Sequence, residues 1–195
     1  SKFFRNPEVW NAVSRLVLPE LYAMDANPLR AWSAGTASGE EAYTLRMVAL
    51  DHAREHGHAP DRLHVLGTDI DRESLAAARR ARYSDFSMTD TAPELRDRWF
   101  DHDGLYHLRP EAREHVEFDT IDLIRDPFPR EQHLILCRNV IIYFERGVQE
   151  TLFRRFHEAL VPGGFLVLGK VEALFGEASS LFQAVSNRDR VFRKA

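Results

Sequence analysis

Short apolar runs alternate along this 195-residue chain with longer segments of helical periodicity, and this alternation constrains the possible fold most strongly. Five runs predict strands, at Leu29–Ala34, Leu63–Asp69, Val116–Ile121, His133–Cys137 and Phe165–Leu168. Their mostly apolar composition is typical of strands that are buried on both faces of a parallel sheet. Repeated strand–helix units therefore predict an α/β fold with a mostly parallel, doubly wound sheet.

The segments between these runs carry apolar residues at helical spacing. They predict helices at Arg5–Ala23, Glu40–Glu55, Asp71–Arg80, Ala92–Phe100 and Gly147–Leu160, with Asp71 as an N-cap. Pro162-Gly163-Gly164 predicts a turn, and the two last strands, Phe182–Val185 and Arg190–Phe192, predict an antiparallel hairpin. A second hairpin is expected between Leu105–Leu108 and His115–Phe118, around Pro110–Arg113.

Charge and cysteine content exclude several function classes. A net charge of -4 lacks the basic footprint of nucleic-acid binding, so no nucleic-acid partner is expected. Cys137 is the single cysteine, which rules out an intrachain disulfide, and a buried, unreactive thiol suits a reducing cytoplasm. His52 and His56 have the spacing of metal ligands but lack a third partner, so no metal is expected. No apolar run reaches the roughly 18 residues of a membrane span, so membrane insertion is not expected.

The segment from Arg30 to Tyr43, RAWSAGTASGEEAY, leads from the first strand through a loop of small residues into a helix. Small residues allow a backbone to approach a ligand closely. Glu40 and Glu41 at the helix start would repel a phosphate but can hold an amine or another cation. This pattern favours a nucleoside cofactor that carries positive charge, such as S-adenosylmethionine.

Other candidate ligand-binding residues follow successive strands: Gly35, Asp69, Asp122 and the pair Arg138-Asn139. In doubly wound sheets, ligands bind at the carboxyl ends of the strands, where an acidic residue can accept hydrogen bonds from ribose hydroxyls. Each residue also has an ordinary structural explanation, because an aspartate after a strand commonly caps a helix. NAD remains an alternative on this topology, although the loop after Gly35 lacks the G-x-G-x-x-G fingerprint.

Several segments together resemble the catalytic domain of the CheR family, the chemotaxis-receptor glutamate O-methyltransferases. They are SKFFR from Ser1, SAGTASGEEAY from Ser33, TDID from Thr68, CRNVIIYF from Cys137 and LVPGG from Leu160. Their order covers nearly the whole chain, and CRNVIIYF is the most specific. The resemblance implies one domain, residues 1–195, with the Rossmann-like sheet of class I S-adenosylmethionine-dependent methyltransferases. It also implies a small β-subdomain inserted before the third strand, at about Asp101 to His115.

The resemblance assigns roles to individual residues. It implies that Glu41 binds the methionine ammonium of the cofactor, that Asp69 holds the ribose, and that Tyr143 borders the reaction centre. Arg5 corresponds to an active-site arginine beside the methyl donor and counts as both a catalytic and a cofactor-binding residue. The remaining cofactor contacts implied are Ser1, Gly35, Asp122, Leu123, Arg138 and Asn139. Ser1 stands where the family usually has Thr, and Asp122 where it often has Asn.

The implied reaction moves a methyl group from S-adenosylmethionine to a glutamate carboxylate of a chemoreceptor or related signalling protein, leaving S-adenosylhomocysteine. A glutamate has a reference pKa of about 4.3, so the acceptor is ionised at neutral pH and needs no general base. Arg5 can orient that carboxylate through two hydrogen bonds, and Tyr143 can orient or pack against the substrate. Without the resemblance, Arg5 would be interpreted as a surface salt-bridge partner and Tyr143 as a core residue.

Two departures from the family leave alternatives open. The family's N-terminal helical domain does not precede Ser1, so truncation is expected, and Gly169-Lys170-Val171-Glu172 stands where the family often has Gly-His-Ser-Glu. Lys170 is expected near the active-site rim and leaves the substrate open. The alternatives are a class I methyltransferase with another acceptor, or a catalytically inactive module that binds S-adenosylmethionine or S-adenosylhomocysteine. Whether the β-subdomain docks a receptor peptide by strand addition is also left open.

Overall fold

The computed structural model describes all residues, 1–195, as ten strands and eight α-helices. The helices are α1 (Pro7–Ala12), α2 (Leu18–Tyr22), α3 (Glu40–His56), α4 (Arg72–Arg80), α5 (Pro93–Trp99), α6 (Pro110–Arg113), α7 (Arg146–Ala159) and α8 (Ala178–Leu181). The strands are β1 (Leu29–Ala34), β2 (Leu63–Asp69), β3 (Arg82–Tyr83), β4 (Phe100–His102), β5 (Tyr106–Leu108), β6 (Val116–Thr120), β7 (Gln132–Cys137), β8 (Leu160–Leu168), β9 (Phe182–Ser186) and β10 (Val191–Lys194).

Seven strands form the central sheet in the order β6-β2-β1-β7-β8-β10-β9. The first five pair in parallel, whereas β10 runs antiparallel to both β8 and β9. The predicted fold class, including its antiparallel final strand, is confirmed. The chain runs outward from β1 to β2 and β6 and then returns to β7 on the other side of β1. The topological switch point, where such sheets bind ligands, therefore lies between β1 and β7.

Hydrophobic clusters cover both faces of the sheet, as a doubly wound sheet requires. Successive residues of β7 alternate between them, so that Leu134 and Leu136 belong to one cluster while Ile135 and Cys137 belong to the other. Helix α3 packs on the first face and α7 on the second. All six residues of β7 are buried, which fits its central place in the sheet.

A three-stranded antiparallel sheet, in the order β3-β5-β4, lies between α4 and β6. The hairpin predicted between Leu105–Leu108 and His115–Phe118 is wrong, because β5 pairs with β4 around Asp103–Leu105. Gly104 has a φ of 91° in this loop, a conformation that glycine adopts without a steric penalty. Pro110–Arg113 forms the one-turn helix α6, and the following residues enter the central sheet as β6. The small sheet therefore starts at Arg82, well before the expected Asp101.

Two further segments differ from the sequence-based expectation. The first predicted helix is divided, because Val13–Val17 between α1 and α2 adopts a π-helical conformation. Pro162-Gly163-Gly164, predicted as a turn, lies inside β8, where the pairing with β7 jumps from Gln132–Leu160 to Leu134–Phe165. The extra residues bulge out of the strand, and Gly163 adopts a φ of 78° there. No helix has both the length and the apolar character needed to cross a membrane.

Candidate functional site

Two adjoining cavities open at the carboxyl ends of the parallel strands. The larger, of about 610 Å³, is lined by Gly35, Asp69, Ile70, Ile121, Asp122, Leu123, Ile124, Arg125, Val140, Tyr143 and Phe144. The smaller, of about 200 Å³, is lined by Ser1, Lys2, Arg5, Trp10, Gly35, Thr36, Ala37, Glu41, Arg138, Asn139 and Val140. Every residue that the sequence assigned to the site lines one of the two cavities. They meet at Gly35 and Val140, which line both.

Glu41 and Arg138 form the charged interior of the smaller cavity. Nη1 of Arg138 lies 3.6 Å from Oε2 of Glu41, and the two side chains are 2% and 15% exposed, respectively. Ser33 Oγ donates a hydrogen bond of 2.8 Å to Oε1 of Glu41. Burial raises the pKa of Glu41, although Arg138 and the bond from Ser33 oppose the rise. The cavity therefore holds a carboxylate that a cationic ligand would stabilise in its ionised form.

Arg138 ties this cavity to the first residues of the chain. Its Nη2 donates to the carbonyl oxygen of Arg5 at 2.8 Å and to Oδ1 of Asn6 at 3.2 Å. Its guanidinium also lies 5.3 Å from the centre of the Trp10 ring. Since these bonds use the main chain of Arg5, the Arg5 guanidinium is left free, and the structure contains no ion pair to it within 4.0 Å. The cavity thus presents an unpaired cation at its exposed side.

Asp69 and Asp122 lie at the larger cavity, at the ends of β2 and β6. Asp69 accepts main-chain hydrogen bonds from Ala37 at 2.9 Å and from Asp71 at 3.0 Å, one on each carboxylate oxygen. Each oxygen keeps a second lone pair, so Asp69 can still accept from two hydroxyl groups. Asp122 accepts from the N–H of Ile124 at 2.9 Å, which shapes the loop after β6.

The contact of Gly35 with Val140 forms the wall between the two cavities. Gly35 has a φ of 75°, and a Cβ at this position would overlap Cγ2 of Val140. The glycine was predicted to allow a close approach of the backbone to a ligand. The structure adds an internal reason, because the side chain of Val140 occupies the space where a larger residue would extend.

Tyr143 and Arg5, the two predicted catalytic residues, line different cavities. Tyr143 borders the larger one, is 82% exposed, and has no hydrogen bond from its hydroxyl. Arg5 borders the smaller one together with Ser1 and Asn139. Lys170, expected at the rim, contacts the carboxylate of Glu8 in α1. The catalytic roles of Arg5 and Tyr143 therefore stay predictions.

Glu172 is a buried acidic residue of the site whose role was missed. It is 3% exposed, and its carboxylate accepts hydrogen bonds from the main-chain N–H groups of Gly169, Asn139, Val140, Ile141 and Ile142. The signal that could have revealed it is the acidic residue at the end of Gly169-Lys170-Val171-Glu172. That segment drew attention only to its lysine.

Cys137 and the histidines contribute no further chemistry to the site. Burial raises the pKa of the Cys137 thiol well above its usual value, which agrees with its interpretation as a buried apolar residue. His52, His56 and His58 form a stack at the end of α3, and no group of three or more potential ligands is arranged to hold a metal ion.

The donor set fits S-adenosylmethionine. Glu41 offers a carboxylate to an ammonium, Asp69 offers free lone pairs to ribose hydroxyls, and Ile121 and Leu123 offer an apolar surface to a base. The larger cavity also falls within the usual ligand-pocket range of about 300–1,000 Å³.

A family model described as "CheR methyltransferase, SAM binding domain" matches residues 1–191. The chain belongs to the CheR methyltransferase family. Its domain is therefore an S-adenosylmethionine-binding domain, and the two cavities lie where this cofactor binds in such folds.

Curated relatives extend this assignment. The chemotaxis protein methyltransferase of Listeria monocytogenes is 32% identical over 188 residues, which are 96% of this chain and 70% of that protein. Chemotaxis protein methyltransferase 1 of Pseudomonas aeruginosa is 34% identical over 179 residues, which are 88% of this chain and 65% of that protein. An "uncharacterized 104.1 kDa protein in hypE 3'region" of Rhodobacter capsulatus is 34% identical over 99% of this chain, which spans 20% of its length.

Solved structures with low identity support the fold alone. PKMT2 from Rickettsia typhi has a TM-score of 0.50 at 12% identity, over 86% of this chain and 26% of that chain. The glycopeptide N-methyltransferase MtfA, complexed with sinefungin, has the same score and identity over 86% of this chain and 50% of its own.

Replacement of Gly35 by alanine tests the wall between the cavities. Gly35→Ala should lower the free energy of unfolding by about 2–4 kcal/mol, since a strained φ costs about 1–2 kcal/mol and overlap with Val140 adds to it. Gly57→Ala is the matched control, because Gly57 has a φ of 71° but nothing within 4 Å of an added Cβ. Urea denaturation should show a larger loss of unfolding free energy for Gly35→Ala than for Gly57→Ala. Adding Val140→Ala to Gly35→Ala should recover part of that loss, because the overlap is removed. Equal losses at Gly35 and Gly57 would contradict the overlap.

Proposed function

We propose that this protein transfers a methyl group from S-adenosylmethionine to glutamate side-chain carboxylates of a chemoreceptor or related signalling protein. The observation that carries the proposal is the unpaired guanidinium of Arg5 beside a cavity that contains the partly buried carboxylate of Glu41. The Glu41 carboxylate suits the cationic end of the cofactor, and the Arg5 guanidinium suits an anionic acceptor. The names of the curated relatives agree with this reaction.

The cofactor is held by residues of both cavities. Glu41 binds the methionine ammonium, and the buried Arg138 keeps the Glu41 carboxylate oriented from the other side. Asp69 binds the ribose, and Asp122 and Leu123 flank the adenine. Ser1, Gly35 and Asn139 complete the set. When bound, S-adenosylmethionine supplies a methyl group that is activated by a positively charged sulfur.

The acceptor carboxylate requires orientation and not deprotonation, because a glutamate is already ionised at neutral pH. Arg5 directs it through charge-assisted hydrogen bonds, and Tyr143 borders its approach. Too strong a pairing would quench the nucleophile. The exposure of Arg5 answers this difficulty, since solvent weakens an exposed ion pair to about 1 kcal/mol or less.

The proposal extends to the domain and its compartment. Residues 1–195 form one methyltransferase domain, and the sheet of β3, β4 and β5 is its inserted subdomain. We assign the reaction to the cytoplasm, a reducing compartment in which the free thiol of Cys137 is stable.

The proposal is tested by methyl transfer from methyl-labelled S-adenosylmethionine to a chemoreceptor fragment that carries glutamates on its signalling helices. We expect labelled ester on the fragment, released as methanol by mild base, and no label when the same glutamates are replaced by alanine. Base-stable label would instead indicate a different acceptor group. Cofactor binding without transfer to the fragment or to other carboxylates would support an inactive binding module.

Glu41→Gln should weaken binding of S-adenosylhomocysteine by about tenfold or more, because a hydrogen bond to a charged group is lost. Binding of 5′-methylthioadenosine, which lacks the ammonium, should change little. In the unmodified protein the affinity for S-adenosylhomocysteine should fall as the pH is lowered through the raised pKa of Glu41, since the protonated side chain is neutral. Calorimetric titration across pH measures both effects. An equal loss for the two ligands would contradict the role of Glu41.

Arg5→Ala should lower the rate of methyl transfer by about tenfold or more, because the guanidinium that orients the acceptor is removed. The main-chain bond from Arg138 to residue 5 is unaffected by this change, so the fold should be preserved. The rate of the Arg5→Lys variant should lie between those of the unmodified protein and Arg5→Ala. Tyr143→Phe should lower the rate of methyl transfer without changing stability. Arg109→Ala, which removes an arginine paired with Asp101 in the small sheet, is the matched control. Full rates and normal cofactor binding in the Arg5 and Tyr143 variants would remove both assignments.

A further inference from the structure

We propose that Glu172 is a positioning residue for cofactor binding, acting through the loop from Arg138 to Tyr143 that lines both cavities. The inference rests on the proposed function and deepens it, since it concerns the same site. Glu172 does not line either cavity. Its influence is therefore indirect, through the main chain of residues that do.

The hydrogen bonds of Glu172 are concentrated on one loop. Oε1 accepts from the N–H groups of Gly169 at 2.7 Å and Asn139 at 2.8 Å. Oε2 accepts from Val140 at 3.1 Å, Ile141 at 2.7 Å and Ile142 at 3.3 Å. No arginine or lysine lies within 4.0 Å of this carboxylate. The main-chain N–H groups are thus its partners.

This arrangement satisfies two requirements at once. A buried carboxylate is unfavourable unless hydrogen bonds compensate for the loss of water, and here five donors do so. The N–H groups that precede and begin the 3₁₀ turn Ile141–Tyr143 would otherwise lack partners. Gly169 is fitted to the same contact, because a Cβ there would lie 2.6 Å from Oε1 of Glu172. The carboxylate and the loop therefore fix each other.

The loop that Glu172 holds contributes residues to both cavities and to the wall between them. Arg138 pairs with Glu41 in the smaller cavity, and Tyr143 borders the larger one. Between them, Asn139 has a left-handed φ of 62°, which surrounding contacts must maintain, and Val140 forms the wall against Gly35. Because Oε1 accepts from both Asn139 and Gly169, the carboxylate also joins the residues after β7 to those after β8. Loss of the Glu172 carboxylate should therefore disturb both cavities together.

Glu172→Gln tests the inference, because the amide group places two donors against N–H groups that need acceptors. We expect the dissociation constants of S-adenosylhomocysteine and of 5′-methylthioadenosine both to rise by about tenfold or more. This differs from Glu41→Gln, which should affect only the ligand that carries an ammonium. Glu172→Asp keeps two acceptor oxygens on a shorter side chain and should bind both ligands with intermediate affinity.

Asp189→Asn is the matched control. Asp189 is 1% exposed and lines neither cavity; in the turn before β10 its carboxylate accepts a hydrogen bond from Ser186 Oγ, and its main-chain N–H donates to the same oxygen. It should lower the melting temperature while leaving both dissociation constants unchanged. If Glu172→Gln likewise lowers only the melting temperature, Glu172 is a structural residue and the inference is overturned.

Amide hydrogen exchange of the unmodified protein without ligand decides the question if Glu172→Gln does not fold. The N–H groups of residues 139–142 and 169 should already exchange slowly, because the carboxylate holds the loop before the cofactor arrives. Exchange at the rate of an open loop would overturn the inference. If the unmodified protein binds neither ligand, the proposed function itself fails. If the unmodified protein and Glu172→Gln bind both ligands equally well, only the inference about Glu172 fails.

Discussion

The parallel pairing of β1 with β7 is the constraint on which the site depends. These strands are adjacent in the sheet although about a hundred residues separate them in the chain, and Ala31, Trp32 and Ser33 pair with Leu134, Ile135 and Leu136. Their carboxyl ends therefore lead into neighbouring loops, one starting at Gly35 and the other at Arg138. The contact of Gly35 with Val140 and the pair of Glu41 with Arg138 both follow from this adjacency.

Three charged side chains lie around these loops, with Arg138 and Glu172 buried and Glu41 partly buried, and each has different partners. Glu41 has a hydroxyl donor and a guanidinium, Arg138 has main-chain and side-chain oxygens, and Glu172 has main-chain N–H groups. Glu41 and Arg138 both line the smaller cavity, and burial shifts the pKa of each towards its neutral form, upward for Glu41 and downward for Arg138. Glu41 is thus the carboxylate of the cavity that a further cation can stabilise, while Glu172 stabilises the surrounding chain.

The sequence predicted β1 and β2 with their observed bounds, because Pro28 and Gly35, residues typical of turns, flank β1, and the charged residues Arg62 and Asp69 mark the start and end of β2. The strand-end residues Gly35, Asp69 and Asp122 were predicted from the topology and their residue types, since parallel strands bring their carboxyl ends together, and all three line the larger cavity. The hairpin around Pro110 was misplaced because a one-turn helix and a tight turn share the same local composition. Glu172 was missed for another reason: the segment Gly169–Glu172 marks it as an acidic residue, but its partners are main-chain groups, which no side-chain pattern identifies.

The wall between the two cavities consists of one aliphatic side chain, that of Val140, facing a glycine. In the proposed placement of S-adenosylmethionine, with the nucleoside in the larger cavity and the methionine part in the smaller, the sulfur that joins them lies in the passage beside Val140. Shortening Val140 would enlarge the passage without altering the acidic groups on either side. Under this proposed placement, Val140 is therefore a position at which acceptance of synthetic cofactors with bulkier transferable groups can be engineered.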